Sequence, residues 1–420
     1  MLSSTGSRRN ATLAALTLAM ALSGCSASAI QYALEQPDTP APAAAAATAL
    51  PGAGPPTAPP TGFTEPEGSL YASPAGQGAS CGRDAPCSLL GALAQSKSGS
   101  TVALLDGDYG KLTVSAVRAL DQLDRPATVM PAKGAAPVVG GLDLRSPNTA
   151  WLGVHFTGAV MIRGFAPNTE LNSVHVEGAG VFVRAKNVTV RDSLLEDGVS
   201  TDGIQVGQAD GVLIEGNRIR NFAQEDAAGF HSDCIQMFDS TNIDIRGNVL
   251  SNCYNSSLIF SPGRGDGTHR VLIESNFVQG CPQITAACRG GVTLDMRTTE
   301  TNTGIVVRNN TFVDGAVRAG TLPDSVFDRN YVEYLSFCET PMTNSIVSTW
   351  NKGLCTKPAN LDKAGNRHGS AVFADQASAD LRVKDPAMVT ISPVPGPTQA
   401  PQDLFGNPLN SSTAGGYAPR

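Results

Sequence analysis

Two stretches of this chain repeat nearly the same phrase of proton-handling residues. Asp202, in Thr201-Asp202-Gly203-Ile204-Gln205, lies fifteen residues before Asn217; Asp233, in Ser232-Asp233-Cys234-Ile235-Gln236, lies fifteen before Asn248. His231 stands two residues before Asp233. If the two phrases occupy neighbouring strands, the two Asp stack about 4.8 Å apart. Stacked carboxylates repel, so one pKa rises or a cation is recruited. A raised carboxyl can serve as a general acid, and a Ca²⁺ held by oxygen ligands can neutralise a sugar carboxylate.

Further along, Val292-Thr293-Leu294-Asp295-Met296-Arg297 alternates so that Thr293, Asp295 and Arg297 share an outward face. An intervening loop carries Arg264, Asp266, His269 and Arg270. His231, Arg264 or Arg297 beside a carboxylate can abstract or return the proton next to a uronate carboxyl. That chemistry is β-elimination or C5 epimerisation, and both pass through the same carbanion-like state. Hydrolysis would use two carboxyls about 5–9.5 Å apart, as Asp202 with Asp233 or Asp233 with Asp295. The candidate catalytic residues are therefore Asp202, His231, Asp233, Asp295 and Arg297. Gln205, Gln236, Arg264 and His269 are candidate substrate contacts, and Asp202 with Asp233 a candidate Ca²⁺ site.

Each residue also has an ordinary structural reading. An Asp opening a strand caps its own turn, Gln205 and Gln236 form an amide ladder, and Arg264 is a solvated charge in a glycine-rich loop. Phe222, Phe230, Phe238, Tyr254 and Phe260 stack on sugar rings or pack loops. His155 and His175 occupy matching places in early units with short loops and read as structural.

The elements that must position these groups come from a loose repeat. Its units are NSVHV from Asn172, DSLLE from Asp192, NRIRN from Asn217, NVLSN from Asn248, NFVQG from Asn276, NTFVD from Asn310, NYVEY from Asn330 and NSIVS from Asn344. Each follows a short alternating strand such as Val188-Thr189-Val190 or Ile243-Asp244-Ile245. Strands this short cannot bury an apolar face alone; stacked on copies of themselves they bury a continuous core. The recurring Asn is expected to take the left-handed conformation at a bend and to form a ladder between coils. Extra loops fall in the coils ending at Asn217, Asn248, Asn276 and Asn310, and are expected to gather into one wall. The fold class predicted is all-β: a single-stranded right-handed parallel β-helix with a short N-terminal capping helix.

Before the repeats, Arg8 and Arg9, an apolar run from Ala11 to Leu22 and Leu22-Ser23-Gly24-Cys25 read as a lipoprotein export signal over residues 1–25. The run is too short to stay in a bilayer as a spanning helix. Cys25 would be lipidated, giving membrane attachment in the cell envelope. Ser26 in place of an aspartate favours the outer membrane. Residues 26–68 are Pro/Ala-rich and read as a disordered tether, residues 69–390 as the solenoid, and residues 391–420 as an irregular tail on or near the last coils.

Nine cysteines less Cys25 leave eight in an exported chain. Close spacing suggests Cys81–Cys87, Cys281–Cys288 and Cys338–Cys355, leaving Cys234 with Cys253, one of 105 connectivities. Cys234 reads equally as an unpaired apolar-like strand residue. The net charge of −7, with no basic stripe, argues against nucleic acid. The expected partners are a polysaccharide and, through lipid, a membrane; the expected state is a monomer.

The ends of the domain carry a resemblance. Tyr71 to Gly76, Cys81, Cys87, Leu89 to Ala94, Gly99, Val102 to Leu105 and Asp108-Tyr109 resemble the opening of secreted right-handed β-helix proteins of the pectate-lyase-like superfamily. The likeness implies a helix from Ser88 to Gln95 capping the first coil. Asp385-Pro386, Asp403 to Pro408 and Gly416-Tyr417 are similar to the tail of that group. It covers roughly residues 69 to 417 and implies an architecture that hosts lyases, hydrolases, epimerases and adhesins. The chain has no Gly-His-Gly turn of polygalacturonase-like hydrolases. His231-Ser232-Asp233 stands where mannuronan epimerases carry Asp-Pro-His, and no Arg-Pro pair of pectate lyases lies near the groove. The leading expectation is a lyase or epimerase acting on an acidic polysaccharide. The alternatives are a glycoside hydrolase and a non-catalytic glycan-binding or scaffold lipoprotein.

Overall fold

A computed structural model describes residues 55–59, 61–225, 231–296, 301–320, 323–395 and 399–418. Cys25 and Arg297 lie outside the described residues. The chain is a right-handed parallel β-helix. Three strand columns wind around one core. Sheet 1 has eleven parallel strands, from Leu70–Ala72 to Val326–Asp328. Sheet 2 follows the bend and includes His175–Glu177, Leu194–Glu196, Arg218–Phe222, Val249–Cys253 and Phe277–Gln279. Sheet 3 includes Val181–Val183, Ile204–Gly207, Ile235–Phe238, Ser256–Phe260 and Val292–Met296. Sheets 2 and 3 merge where Thr311–Ala319 serves both.

Alternation sets the core. Val188, Val190, Val212, Ile214, Ile243 and Ile245 point inward on sheet 1 and are buried. Trp151, Phe156, Phe222, Phe260 and Phe312 fill the interior, each at most 1% exposed. The helix Leu89–Ala94 closes the first coil with Leu89, Ala92 and Leu93 buried, and Ser88 Oγ accepts from the Gly91 N–H at 3.2 Å. This is the capping helix expected from the sequence.

The ladder exists, in a register shifted from the expected one. Asn217, Asn248, Asn276 and Asn310 each donate through Nδ2 to the next Asn Oδ1, ending at Asn330, at 3.0, 3.0, 2.9 and 3.1 Å. Ser193 precedes them and Ser345 and Asn366 follow. Asp192 and Asn344 stand one place too early and Asn172 two. The ladder Asn are not left-handed. The residue before each bend is: Ser173, Asp192, Gly216, Gly247, Ser275, Asn309, Arg329 and Asn344 have φ of 49° to 64°. One residue turns the chain and the next ties the coils.

All four expected disulfides form: Cys81–Cys87, Cys234–Cys253, Cys281–Cys288 and Cys338–Cys355. Cys234 is therefore not a free core thiol. The Pro-rich segment is already laid on the solenoid before residue 69. Pro56 O accepts from Arg218 Nε at 3.0 Å, Glu65 Oε2 accepts from the Lys133 N–H at 2.5 Å, and the Phe63 ring sits where a Cβ on Gly153 would be, 2.2 Å away. The C-terminal tail covers the outside of sheet 2, packing Phe373, Leu381, Val389, Ile391 and Leu404 on Val249, Phe277, Tyr331 and Ile346. Gly416 N donates to Thr311 Oγ1 at 3.0 Å.

The long loops divide between two corners instead of forming one wall. Residues 197–203, the connection from Phe222 to Ile235, and 280–291 join sheet 2 to sheet 3; residues 261–268 and the connection from Met296 to Thr303 join sheet 3 to sheet 1. The described loops 197–203 and 280–291 thus lead into sheet 3 strands, and 261–268 leads out of one.

Candidate functional site

The sheet 3 strands place the two repeated phrases in register. Ile204 pairs with Ile235 and Gln205 with Gln236, which sets Asp202 beside Asp233. Ile204 and Ile235 are fully buried, so the glutamines face out. The Asp233 N–H donates to Asp202 Oδ1 at 2.9 Å. Gln205 Nε2 donates to Asp202 Oδ2 at 2.9 Å and to Gln236 Oε1 at 2.7 Å. The amide ladder and the carboxylate stack are thus one network, and Asp202 does cap a backbone group, as its ordinary reading required.

Asp233 differs from Asp202. Its side chain is 0% exposed, and neither carboxyl oxygen has a hydrogen-bond partner. His231 Nδ1 stands 3.8 Å from Asp233 Oδ2, an ion-pair distance, with its side chain 57% exposed. Burial lifts the Asp233 pKa to about 6, the Asp202 charge adding to this and His231 partly offsetting it. Burial also raises Asp202, against the Asp233 N–H and Gln205. The Asp233 carboxylate raises His231. Gln236 Nε2 lies 3.5 Å from the same His231 Nδ1. That nitrogen cannot serve both neighbours at once. Protonated, it faces Asp233 as a donor; unprotonated, it can accept from Gln236. The site is built to hold or release one proton at a solvent-facing imidazole.

Arg184 completes the cluster and was not singled out from sequence. Its Nη1 donates to the Gln205 carbonyl at 3.1 Å, its Nη2 to Gln205 Oε1, and its Cζ stands 5.2 Å from the Phe238 ring centroid. Phe238 lies across Gly207, where a Cβ would meet the ring at 2.2 Å. Arg184 continues a column. Leu144, Ile162 and Val183 are in register on adjacent strands, and each is followed by an arginine: Arg145, Arg163 and Arg184. Asp143 accepts from Arg145 Nη2 at 2.7 Å and Arg163 Nε at 2.8 Å, and Arg145 and Arg163 hold its pKa at about 2. The aliphatic-Arg dipeptides at 144–145, 162–163 and 183–184 carried that signal.

Other candidates fall elsewhere. Asp295 shares the outward row through Gln236, Ile259 and Asp295, two coils or about 10 Å beyond Gln236. It is 3% exposed, and Arg318 Nη1 stands 3.6 Å from it. It is therefore not gathered with Asp233, and Thr293 is fully buried. Arg264 and His269 sit at the corner entering sheet 1. Arg264 N–H donates to Asp239 Oδ2 at 2.6 Å and its guanidinium faces Gln208. His269 lies 2.9 Å from both Thr303 Oγ1 and Asp266 O. Phe222 and Phe260 belong to the core. Phe230 lies outside the described residues. As a calcium site the Asp202–Asp233 pair fits poorly. Calcium takes six to eight oxygens, while both Asp202 oxygens are already bonded and Asp233 is enclosed. The geometry suits a proton better.

Comparison with known proteins gives the following. Residues 154–312 match a family model described as a right handed beta helix region. No curated protein matches the sequence. Among solved structures the chain is similar to pectate lyase Pel9A, at 12% identity and a TM-score of 0.47 over 82% of this chain and 88% of that one. It is similar to a mannuronic acid specific polysaccharide family 6 lyase from human gut microbiota, at 14% and 0.44 over 67% and 74%. It is similar to PfbA, a surface adhesin of Streptococcus pneumoniae, at 13% and 0.39 over 71% and 82%. The likeness is one of fold.

Proposed function

Taking the chain as a right-handed parallel β-helix protein, we propose that it is an exported polysaccharide-active protein that works on an acidic polysaccharide by β-elimination or C5 epimerisation across the outer face of sheet 3. The fold alone hosts lyases and adhesins, so the site must carry the choice. The observation that carries it is the pairing of enclosed Asp233 with solvent-facing His231, 3.8 Å apart.

Neutral His231 takes the proton from the carbon next to the uronate carboxyl, and Asp233 stabilises the imidazolium that forms. In elimination the C–H and C–O bonds break, a C=C bond forms, and the departing oxygen takes a proton. In epimerisation His231 keeps the proton it removed, and a proton from water adds to the opposite face. Arg184 beside the site, with Arg163 and Arg145 around Asp143 in the preceding coils, leaves net positive charge next to it, which supports an anionic polymer. Glycoside hydrolysis is the second reading, favoured by the in-register Asp202–Asp233 pair with both carboxyls raised.

Export and lipid attachment at Cys25 belong to the same proposal. They are supported by the pairing of all eight other cysteines in disulfides, as suits an oxidising compartment. No helix among the described residues is long and apolar enough to cross a membrane. Cys25→Ser should move the protein from the membrane fraction to the soluble one. The activity is tested with a panel of acidic polysaccharides, with and without Ca²⁺, recording ultraviolet absorbance and reducing ends together. Absorbance that is lost in His231→Ala supports elimination. Reducing ends alone transfer the site to the hydrolase reading. Polymer binding that survives His231→Ala and Asp233→Ala without turnover means a non-catalytic glycan binder.

A further inference from the structure

A second cluster lies on the outside of sheet 2, in the coils before the Asp202–Asp233 pair. His155 and His175 are in register on adjacent strands, and their rings stack 4.6 Å apart at 12°. Glu177 follows on the same face, and Glu196 pairs with it from the next coil. His155 Nε2 is 3.1 Å from Glu177 Oε2, and His175 Nε2 is 3.0 Å from Glu196 Oε1. The ligand atoms of His155, His175 and Glu177 all lie within 4.8 Å of one another. Arg220 Nη2 holds the other Glu196 oxygen at 2.7 Å, fixing that carboxylate.

We propose that these residues form a binding site for a divalent transition metal of the zinc type, unrelated to the polysaccharide chemistry. His155, His175 and Glu177 each supply one ligand atom, solvent completes the coordination, and Glu196, itself held by Arg220, orients the His175 ring from the next coil. Face-to-face imidazoles repel when both are protonated, whereas one metal ion replaces both protons. Two imidazoles with a carboxylate suit zinc, copper or nickel; calcium and magnesium prefer all-oxygen sets. The site is half enclosed and half open: the side chains of His175 and Glu196 are 9% and 13% exposed, those of His155 and Glu177 34% and 51%. An ion can therefore enter from solvent and be held by buried groups. Its ligands come from two successive coils, so binding clamps those coils together and raises the melting temperature by mass action.

The test uses the untagged full chain after treatment with a chelator. Calorimetric titration with zinc chloride at pH 7 should show one saturable site that calcium does not displace, and zinc should raise the melting temperature. His155→Ala and Glu177→Gln, both at solvent-exposed side chains, should each weaken binding at least tenfold, while His368→Ala leaves it unchanged. The site does not exist if zinc fails to saturate below millimolar concentration. The same holds if His155→Ala and Glu177→Gln, folded by circular dichroism, bind as the parent does, or if His368→Ala loses binding equally.

Discussion

Asp233 stacks directly on Asp202 and donates its backbone N–H to the Asp202 carboxylate at 2.9 Å, while both oxygens of its own buried carboxyl lack a hydrogen-bond partner. A buried polar group left this way costs stability. The cost is tolerable if the group spends part of its time protonated, and the Asp233 pKa of about 6 permits that near neutral pH.

The first expectation concerns stability against pH. Asp233 is raised in the folded state, so the native protein binds that proton more tightly than the unfolded chain. Stability from this group is fully present below about pH 4 and declines as pH climbs through 6. His231 is also raised, so its contribution is present at low pH and is lost as pH rises past its folded value. Both act in one direction. Asp233→Asn should therefore stabilise the protein at pH 8 by up to about 3 kcal/mol and do little at pH 4. Urea unfolding at the two pH values checks this; equal effects at both would count against a raised Asp233.

The second concerns the ladder. Asn248 Nδ2 donates to Ile214 O, Arg246 O and Asn276 Oδ1, and its Oδ1 accepts from Asn217 N and Nδ2. Asn248→Ala leaves several buried partners unsatisfied and should cost about 3 kcal/mol. Asp192→Asn, at a bend but outside the ladder, should cost less than about 1 kcal/mol. Denaturant unfolding of both variants separates the two roles.

That contrast marks what the sequence made legible. Period-two strands followed by a recurring Asn were enough to predict the solenoid, because coils this short have no other way to bury Val188, Ile214 or Ile245. Register was harder. A bend needs one left-handed residue and one ladder residue side by side, and Asn, Asp and Ser suit either position, so Asp192 and Asn344 were aligned with their neighbours' role. In the site, Asp202, His231 and Asp233 were legible because identical phrases must stack in register. Asp295 was not, since the loop of 280–291 hid how far along the row it falls. Arg184 was missed because its dipeptide repeat lies in coils without long loops.

The third expectation follows from the arginine column. Arg145→Ala with Arg163→Ala removes two charges along the approach to Asp202 while leaving the proton-handling residues in place. Affinity for an acidic polysaccharide should fall about tenfold at low salt, and the difference should shrink at high salt. A neutral polysaccharide should be unaffected. KM should change more than kcat; an equal loss in kcat would place these arginines in the chemistry itself.

The fourth concerns pH and rate. If neutral His231 is the base, kcat/KM rises with pH through the His231 pKa, which Asp233 holds above its ordinary value. Asp233→Asn should lower the rate and shift the acid limb of the profile to lower pH. An unshifted limb would mean that the titrating group in the profile is not His231.

The measurement that bears most directly on the central claim is the ultraviolet progress curve of the purified protein on its preferred acidic polysaccharide, run beside His231→Ala. The proposed chemistry, in its elimination form, predicts a steady rise in absorbance for the parent, at least a hundredfold slower in the variant, whose polymer binding is retained. A variant that turns over at the parent's rate would contradict the assignment of the proton to His231 and Asp233.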